Sequence, residues 1–180
     1  QFVLMDGDSR KIIAILETRQ QSFVKEHISG MFGRLETITQ DLWAPYRSIA
    51  RSCYPGAKVI ADPFHVVRQF MWAFSRTRIA LAKEQGVKTN RHWRLLTKRY
   101  SKLDERGKEK VMILLEANPE LMAAHTAKEL ALEMYSCKDK ALYVELLEIF
   151  KNYIDEHNLD EFQVAYKSVI NWHDEILNMI

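Results

Sequence analysis

Short apolar runs and turn residues divide the first sixty residues into small elements, and helical periodicity takes over the rest of the chain. Residues 2–6, Phe-Val-Leu-Met-Asp, predict a strand, Gly7-Asp8-Ser9 a turn, and the Ile-rich run 11–18 a second strand, so the pair reads as a hairpin. A helical pattern over 20–30 closes on Gly30 and Gly33. Residues 35–39 are a third strand, ending directly on Asp41. Pro45 sits where a first-turn proline is tolerated, and 46–53 continues as a short helix until Pro55-Gly56. Residues 58–61 form a very short fourth strand, which ends on Asp62. A long helix starts at Pro63 and runs to about Gln85.

Beyond that point the pattern holds no strand. Residues 105–116, 120–135, 138–156 and 160–178 are helical in period, separated at Asn118-Pro119, Ser136-Cys137 and Asn158. The order predicts an α/β (α+β) layer over 1–88 followed by an all-helical unit over 89–180. There is no internal repeat and no low-complexity tract.

Composition narrows the class. A hydrophobic fraction of 47% with 28% charged residues excludes a disordered tail, and 6 Gly with 4 Pro argue against a turn-rich all-β fold. No apolar run approaches the roughly 20 residues of a membrane span, and no signal-peptide pattern opens the chain. Cys53 and Cys137 are isolated, which suits a reducing compartment and gives no zinc spacing. The chain starts with Gln1 and enters an apolar run at once, as a piece of a longer protein would.

The net charge of +2 hides an asymmetry. Residues 1–62 carry 8 Lys/Arg against 7 Asp/Glu, residues 63–110 carry 13 against 4, and residues 111–180 carry 5 against 13. The basic middle attracts phosphate; the acidic tail does not.

Two aspartates stand at the C-terminal ends of the two central strands, Asp41 and Asp62. Open α/β sheets gather functional groups there, and neighbouring carboxylates are how hard cations such as Mg²⁺ are held. Either aspartate would serve equally as a helix N-cap, since Trp43-Ala44-Pro45 and Pro63-Phe64 both open helices. In Asp62-Pro63-Phe64-His65 the Asp and His, three apart, can share one face. At 100° per residue Val67, Phe70, Met71 and Phe74 form the apolar face of the long helix, with His65, Arg68, Trp72 and Arg76 opposite. That second face suits a phosphate backbone and an unstacked base, or is a solvated face with one partly covered Trp. The stretch from Asn90 to Lys110, with Arg91, Arg94, Lys98, Arg99, Lys102, Arg106 and Lys108 around Trp93 and Tyr100, is a DNA-contacting loop or helix, or a solvated linker.

The runs Asp41-Leu42-Trp43-Ala44-Pro45-Tyr46 and Tyr54-Pro55-Gly56-Ala57-Lys58-Val59-Ile60-Ala61-Asp62-Pro63-Phe64-His65-Val66-Val67 resemble the core of bacterial insertion-sequence transposases with a DDE catalytic domain. Val3 to Asp6, Lys11 to Ile13, Arg19, Ala73 and Arg76-Thr77-Arg78 extend the resemblance, which covers roughly residues 2–80.

The resemblance implies a truncated ribonuclease H-like mixed sheet in which three acidic residues hold two divalent ions, Mg²⁺ or Mn²⁺, for DNA cleavage and strand transfer. Asp41 would be the second acid and a metal ligand, and Asp62 with His65 the Asp-x-x-His signature that follows it. The helix face of Arg68, Trp72 and Arg76, not the resemblance, supplies the candidate DNA contacts. Asp6 is expected to be a turn residue, not a catalytic acid. Counting elements puts the first acid upstream of Gln1 and the third beyond Ile180, with the helical unit an insertion before it. On that count the fragment alone binds metal weakly and is inactive. The implied partners are transposon-end and target DNA and a second copy of the chain, in a bacterial cytoplasm. Two other classes fit the same residues: a non-catalytic DNA-binding or assembly module, and an unrelated metal-dependent nuclease.

Overall fold

A computed structural model describes residues 1–88 and 92–180. The expected boundary between 88 and 89 falls at the edge of the stretch left out, and Arg91 of the basic run lies outside the described residues. The fold is α+β. Its elements are β1 (Phe2–Met5), β2 (Ile12–Leu16), α1 (Gln21–Ile28), β3 (Thr37–Gln40), α2 (Ala44–Cys53), β4 (Lys58–Ala61) and α3 (Pro63–Glu84). The helices α4 (Trp93–Thr97), α5 (Glu105–Glu116), α6 (Pro119–Met134), α7 (Lys140–Glu156), α8 (Asp160–Asn171) and α9 (His173–Leu177) follow. They form two compact units. One comprises Gln1–Asp62 with Asp174–Met179, the other Pro63–His173 with Ile180.

In the first unit the strands do not join into the one mixed sheet that the resemblance implies. The described strands make two separate pairs: β1 with β2, antiparallel, and β3 with β4, parallel. Each pair is local. A turn closes the hairpin, where Asp6 N–H donates to the Lys11 carbonyl at 2.9 Å and Arg10 takes a left-handed φ of 57°. The Asp6 carboxylate accepts from the Ser9 N–H at 2.6 Å, and hydrogen bonding from the Ser9 side chain first, then from its backbone, holds the Asp6 pKa below the usual value. Alternation along the strands points Phe2, Leu4 and Leu16 toward a core of Val24, Ile28, Ile49 and Tyr54, and leaves Val3, Met5, Ile12 and Ile15 exposed. The Tyr54 hydroxyl ties that core to the end of α1, donating to the Ile28 carbonyl at 2.5 Å.

The second pair is a β-α-β unit, since parallel neighbours need a crossover and α2 supplies it. Its register runs from Thr37 opposite Lys58 to Gln40 opposite Ala61. Residues 174–179 complete this unit. Glu175, 2% exposed, meets Arg47 Nε at 3.0 Å and Arg51 Nη2 at 2.9 Å, and Asn178 Nδ2 donates to the Val59 carbonyl at 2.9 Å.

The second unit is helical throughout its described residues. α3 buries Val66, Phe70, Ala73 and Phe74, a stripe at i, i+4, i+7 and i+8, while Val67 and Met71 are only half-buried flanks of it. α6 packs on α3, where the His125 ring and Lys128 meet Phe74 and the Tyr135 ring just after α6 meets Phe70. Side-chain caps start three helices: Asp104 accepts from Gly107 N–H, Asn118 from Leu121 N–H and Asp139 from Leu142 N–H, each at 2.9 Å. The helical pattern over 160–178 breaks at Trp172 into α8 and α9. The basic run is a succession of short pieces: α4, a 3₁₀ turn over Tyr100–Lys102, and the start of α5.

Candidate active site

β3 and β4 end together, and that sets the site. Their register offsets partners by 21 residues, Thr37 to Lys58 through Gln40 to Ala61, and Asp41 and Asp62 continue the same offset by one step. The Asp62 N–H donates to the Gln40 carbonyl at 2.8 Å, so the ladder reaches the aspartates themselves. Each offers a carboxylate oxygen within 4.8 Å of the other's, and both are half-buried. Just before Asp41, the Gln40 side-chain amide nitrogen is buried with no hydrogen-bond partner among the described residues.

The N-cap alternative separates the two residues. Trp43, not Asp41, occupies the cap position of α2, and the Asp41 carbonyl accepts from the Trp43 N–H at 2.7 Å. Asp62 immediately precedes α3. Two half-buried carboxylates side by side are a hard-oxygen donor set, which suits Mg²⁺ or Mn²⁺ and does not suit a thiolate-seeking metal.

His65 stands on the first turn of α3, in the second unit, three residues after Asp62. Its Nδ1 lies 2.9 Å from Arg68 Nη2. The Arg68 guanidinium in turn lies 4.6 Å from the Trp72 ring centre and 5.3 Å from that of Phe64. Phe64, Arg68, Trp72 and Arg76 therefore form one i, i+4 row of alternating ring and cation, in which Phe64 (64% exposed) and Trp72 (46%) face solvent. The sequence reading places Phe64 in the Asp62–His65 motif and not on this face. Arg76, at the far end of the row, is held by Glu161 of α8, Nε to Oε2 at 2.5 Å.

The basic run spends several of its cations internally. Arg99 Nη2 donates to the Leu132 carbonyl and to Ser136 Oγ, Lys108 pairs with Glu105 at 2.7 Å, and Arg94 lies against its neighbour Trp93. Lys110, Lys88, His92 and Arg78 line a cavity of about 930 Å³ together with Leu81 and Ile113.

A parallel pair thus ends in two adjacent carboxylates, and a helix bearing His65, Arg68 and Trp72 follows it at once in the chain. The family model for DDE_Tnp_ISL3, described as transposase, matches residues 1–180, and the chain belongs to that transposase family. The resemblance carried by the Asp41–Val67 motif is thereby borne out. No curated protein and no solved structure matches the chain. No helix among the described residues is long and apolar enough to cross a membrane.

Proposed function

We propose that these residues are the central part of a transposase catalytic domain of ribonuclease H-like type, which cuts DNA at transposon ends and joins them to a target. The observation that carries the reading is the shared register step of Asp41 and Asp62 at the ends of β3 and β4. In this reading Asp41 is the catalytic acid and metal ligand, Asp62 stands beside it, and the two further acids come from outside residues 1–180. A bound Mg²⁺ or Mn²⁺ would lower the pKa of an attacking water or 3′-hydroxyl and neutralise charge on the scissile phosphate.

The chain's own residues prepare for that chemistry. The parallel ladder holds the two carboxylates at a fixed spacing, so no loop has to be ordered when a cation arrives. His65, one helical turn on from Asp62, and Arg68, Trp72 and Arg76 along α3 present donors, charge and an aromatic face to a DNA strand. DNA of the transposon end and target is the partner, a second copy of the chain brings the two ends together, and the bacterial cytoplasm is the setting.

Mn²⁺ binding tests the reading, followed by water-proton relaxation. Two carboxylates without the outside acids should bind Mn²⁺ in the millimolar range, and Asp41→Asn or Asp62→Asn should abolish it. Binding that survives both substitutions would place the metal elsewhere.

A further inference from the structure

A guanidinium carries only N–H donors, so the 2.9 Å contact between Arg68 Nη2 and His65 Nδ1 has one direction: arginine donates and Nδ1 accepts. An imidazole that accepts at Nδ1 is neutral and carries its proton on Nε2. Arg68 is itself restrained, because its guanidinium lies between the rings of Phe64 and Trp72 one helical turn to either side. Ring, cation and ring are spaced by the helix, and the contact to His65 is an i, i+3 contact of the same helix.

The geometry points to Arg68 as a positioning residue that fixes His65 in the Nε2–H tautomer, so that His65 meets an anionic oxygen as a hydrogen-bond donor instead of ligating a cation through a nitrogen lone pair. For Nε2 to ligate a metal, its proton must move to Nδ1, and that nitrogen then confronts the donor of Arg68 with a second donor. The cation is left to the carboxylates. His65 serves a carboxylate or phosphate oxygen with its N–H. Only the consequence for the metal rests on the function proposed above; the tautomer does not.

Long-range ¹H–¹⁵N correlation spectra of the 180-residue chain at pH 8 read the tautomer directly. Wild-type His65 should show a pyrrole-type Nε2 and a pyridine-type Nδ1, and Arg68→Ala should shift both nitrogens toward the averaged values of a free imidazole. The other five histidines act as internal references for folding. A wild-type ring with averaged nitrogens or with Nδ1–H overturns the proposal, as does a folded Arg68→Ala variant with an unchanged His65 pattern. The wild-type spectrum decides the first arm whether or not the variant folds. In the second arm, His65→Ala should leave the Mn²⁺ dissociation constant within about twofold of wild type, and a loss of tenfold or more would make His65 a ligand. If wild type binds no Mn²⁺, the carboxylate site fails while the spectra still judge the tautomer.

Discussion

The backbone N–H of Asp62 donates to the carbonyl of Gln40 at 2.8 Å, which carries the β3–β4 ladder one step past its last strand pair. Two aspartates that follow paired strand ends are thereby neighbours by construction. Mutual repulsion of adjacent carboxylates is relieved when either is neutralised. Asp41→Asn should therefore leave the melting temperature unchanged or slightly raised without metal, and should remove the increase that Mn²⁺ gives wild type by binding the folded state. Thermal scans with and without about ten dissociation constants of Mn²⁺ check both; at that excess the wild-type gain is about 1.4 kcal/mol.

Arg76 is available to phosphate only when Glu161 releases it. The pair is exposed, so its own contribution to stability is small, and removing the acid costs little. Glu161→Gln should strengthen duplex binding and steepen the dependence of log affinity on log salt by about 0.9, the value for one added phosphate contact. Arg76→Ala should cancel that gain in the double variant, and Arg68→Ala with Arg76→Ala should lower both affinity and slope below wild type. Fluorescence anisotropy at several salt concentrations measures each slope. A Glu161→Gln slope equal to wild type would mean that α3 does not present Arg76 to DNA.

Glu175 is the buried acid on which residues 174–179 hang. With Arg47 and Arg51 both on its carboxylate, Glu175→Ala takes that carboxylate away from the largely buried Arg47 and from Arg51. The loss should be about 3 kcal/mol, the low end for a broken buried pair because Arg51 is partly solvated. Glu175→Gln should lose less, since an amide oxygen still accepts. Urea unfolding gives the number, and a loss below about 1 kcal/mol would show that the clamp is not structural.

These residues differ in how far the sequence exposed them. Asp41 and Asp62 were legible because each ends a short apolar run before a helix start. That they share a register step was not, since a 21-residue offset between four-residue strands leaves no periodic trace. α5 follows its sequence pattern closely because capping chemistry marks its start: Asp104 stands three residues before Gly107. α4 was hidden in the basic run, where charge density masks a turn built on Leu95 and Leu96. Glu175 looked like one more acid in an acidic tail, and its arginines are 124 and 128 residues away along the chain, beyond any local rule. On α3 the amphipathic stripe was read one residue off at Val67, for Val66, and two residues off at Met71, for Ala73, because a helix that is apolar on most sides gives a broad stripe.

Lys128 and His125 make stability depend on pH in a predictable direction. Lys128 is fully buried on α6, and its Nζ donates to the Leu96 carbonyl at 2.8 Å and the Lys98 carbonyl at 3.0 Å, so it pins the end of α4 to the helical unit. The same Nζ contacts Glu129 Oε1 at 2.6 Å and donates to His125 Nε2 at 3.1 Å. Phe74 and Tyr100 close the other sides of the His125 ring. Burial, and next the Lys128 charge, push the His125 pKa down from 6.5 to about 4, against a weaker opposing pull from Glu129. A folded pKa below the unfolded one means that the unfolded chain takes up a proton first as pH falls. The stability is therefore complete above pH 6.5 and drains away between 6.5 and about 4, by about 3 kcal/mol at the lower end. Urea titrations at pH 7.5, 5.5 and 4.5 should show the decline, and His125→Asn, which cannot titrate, should flatten it across that window. A wild-type profile that stays level from 7.5 to 5 would mean that the His125 imidazole reaches solvent and protonates without cost.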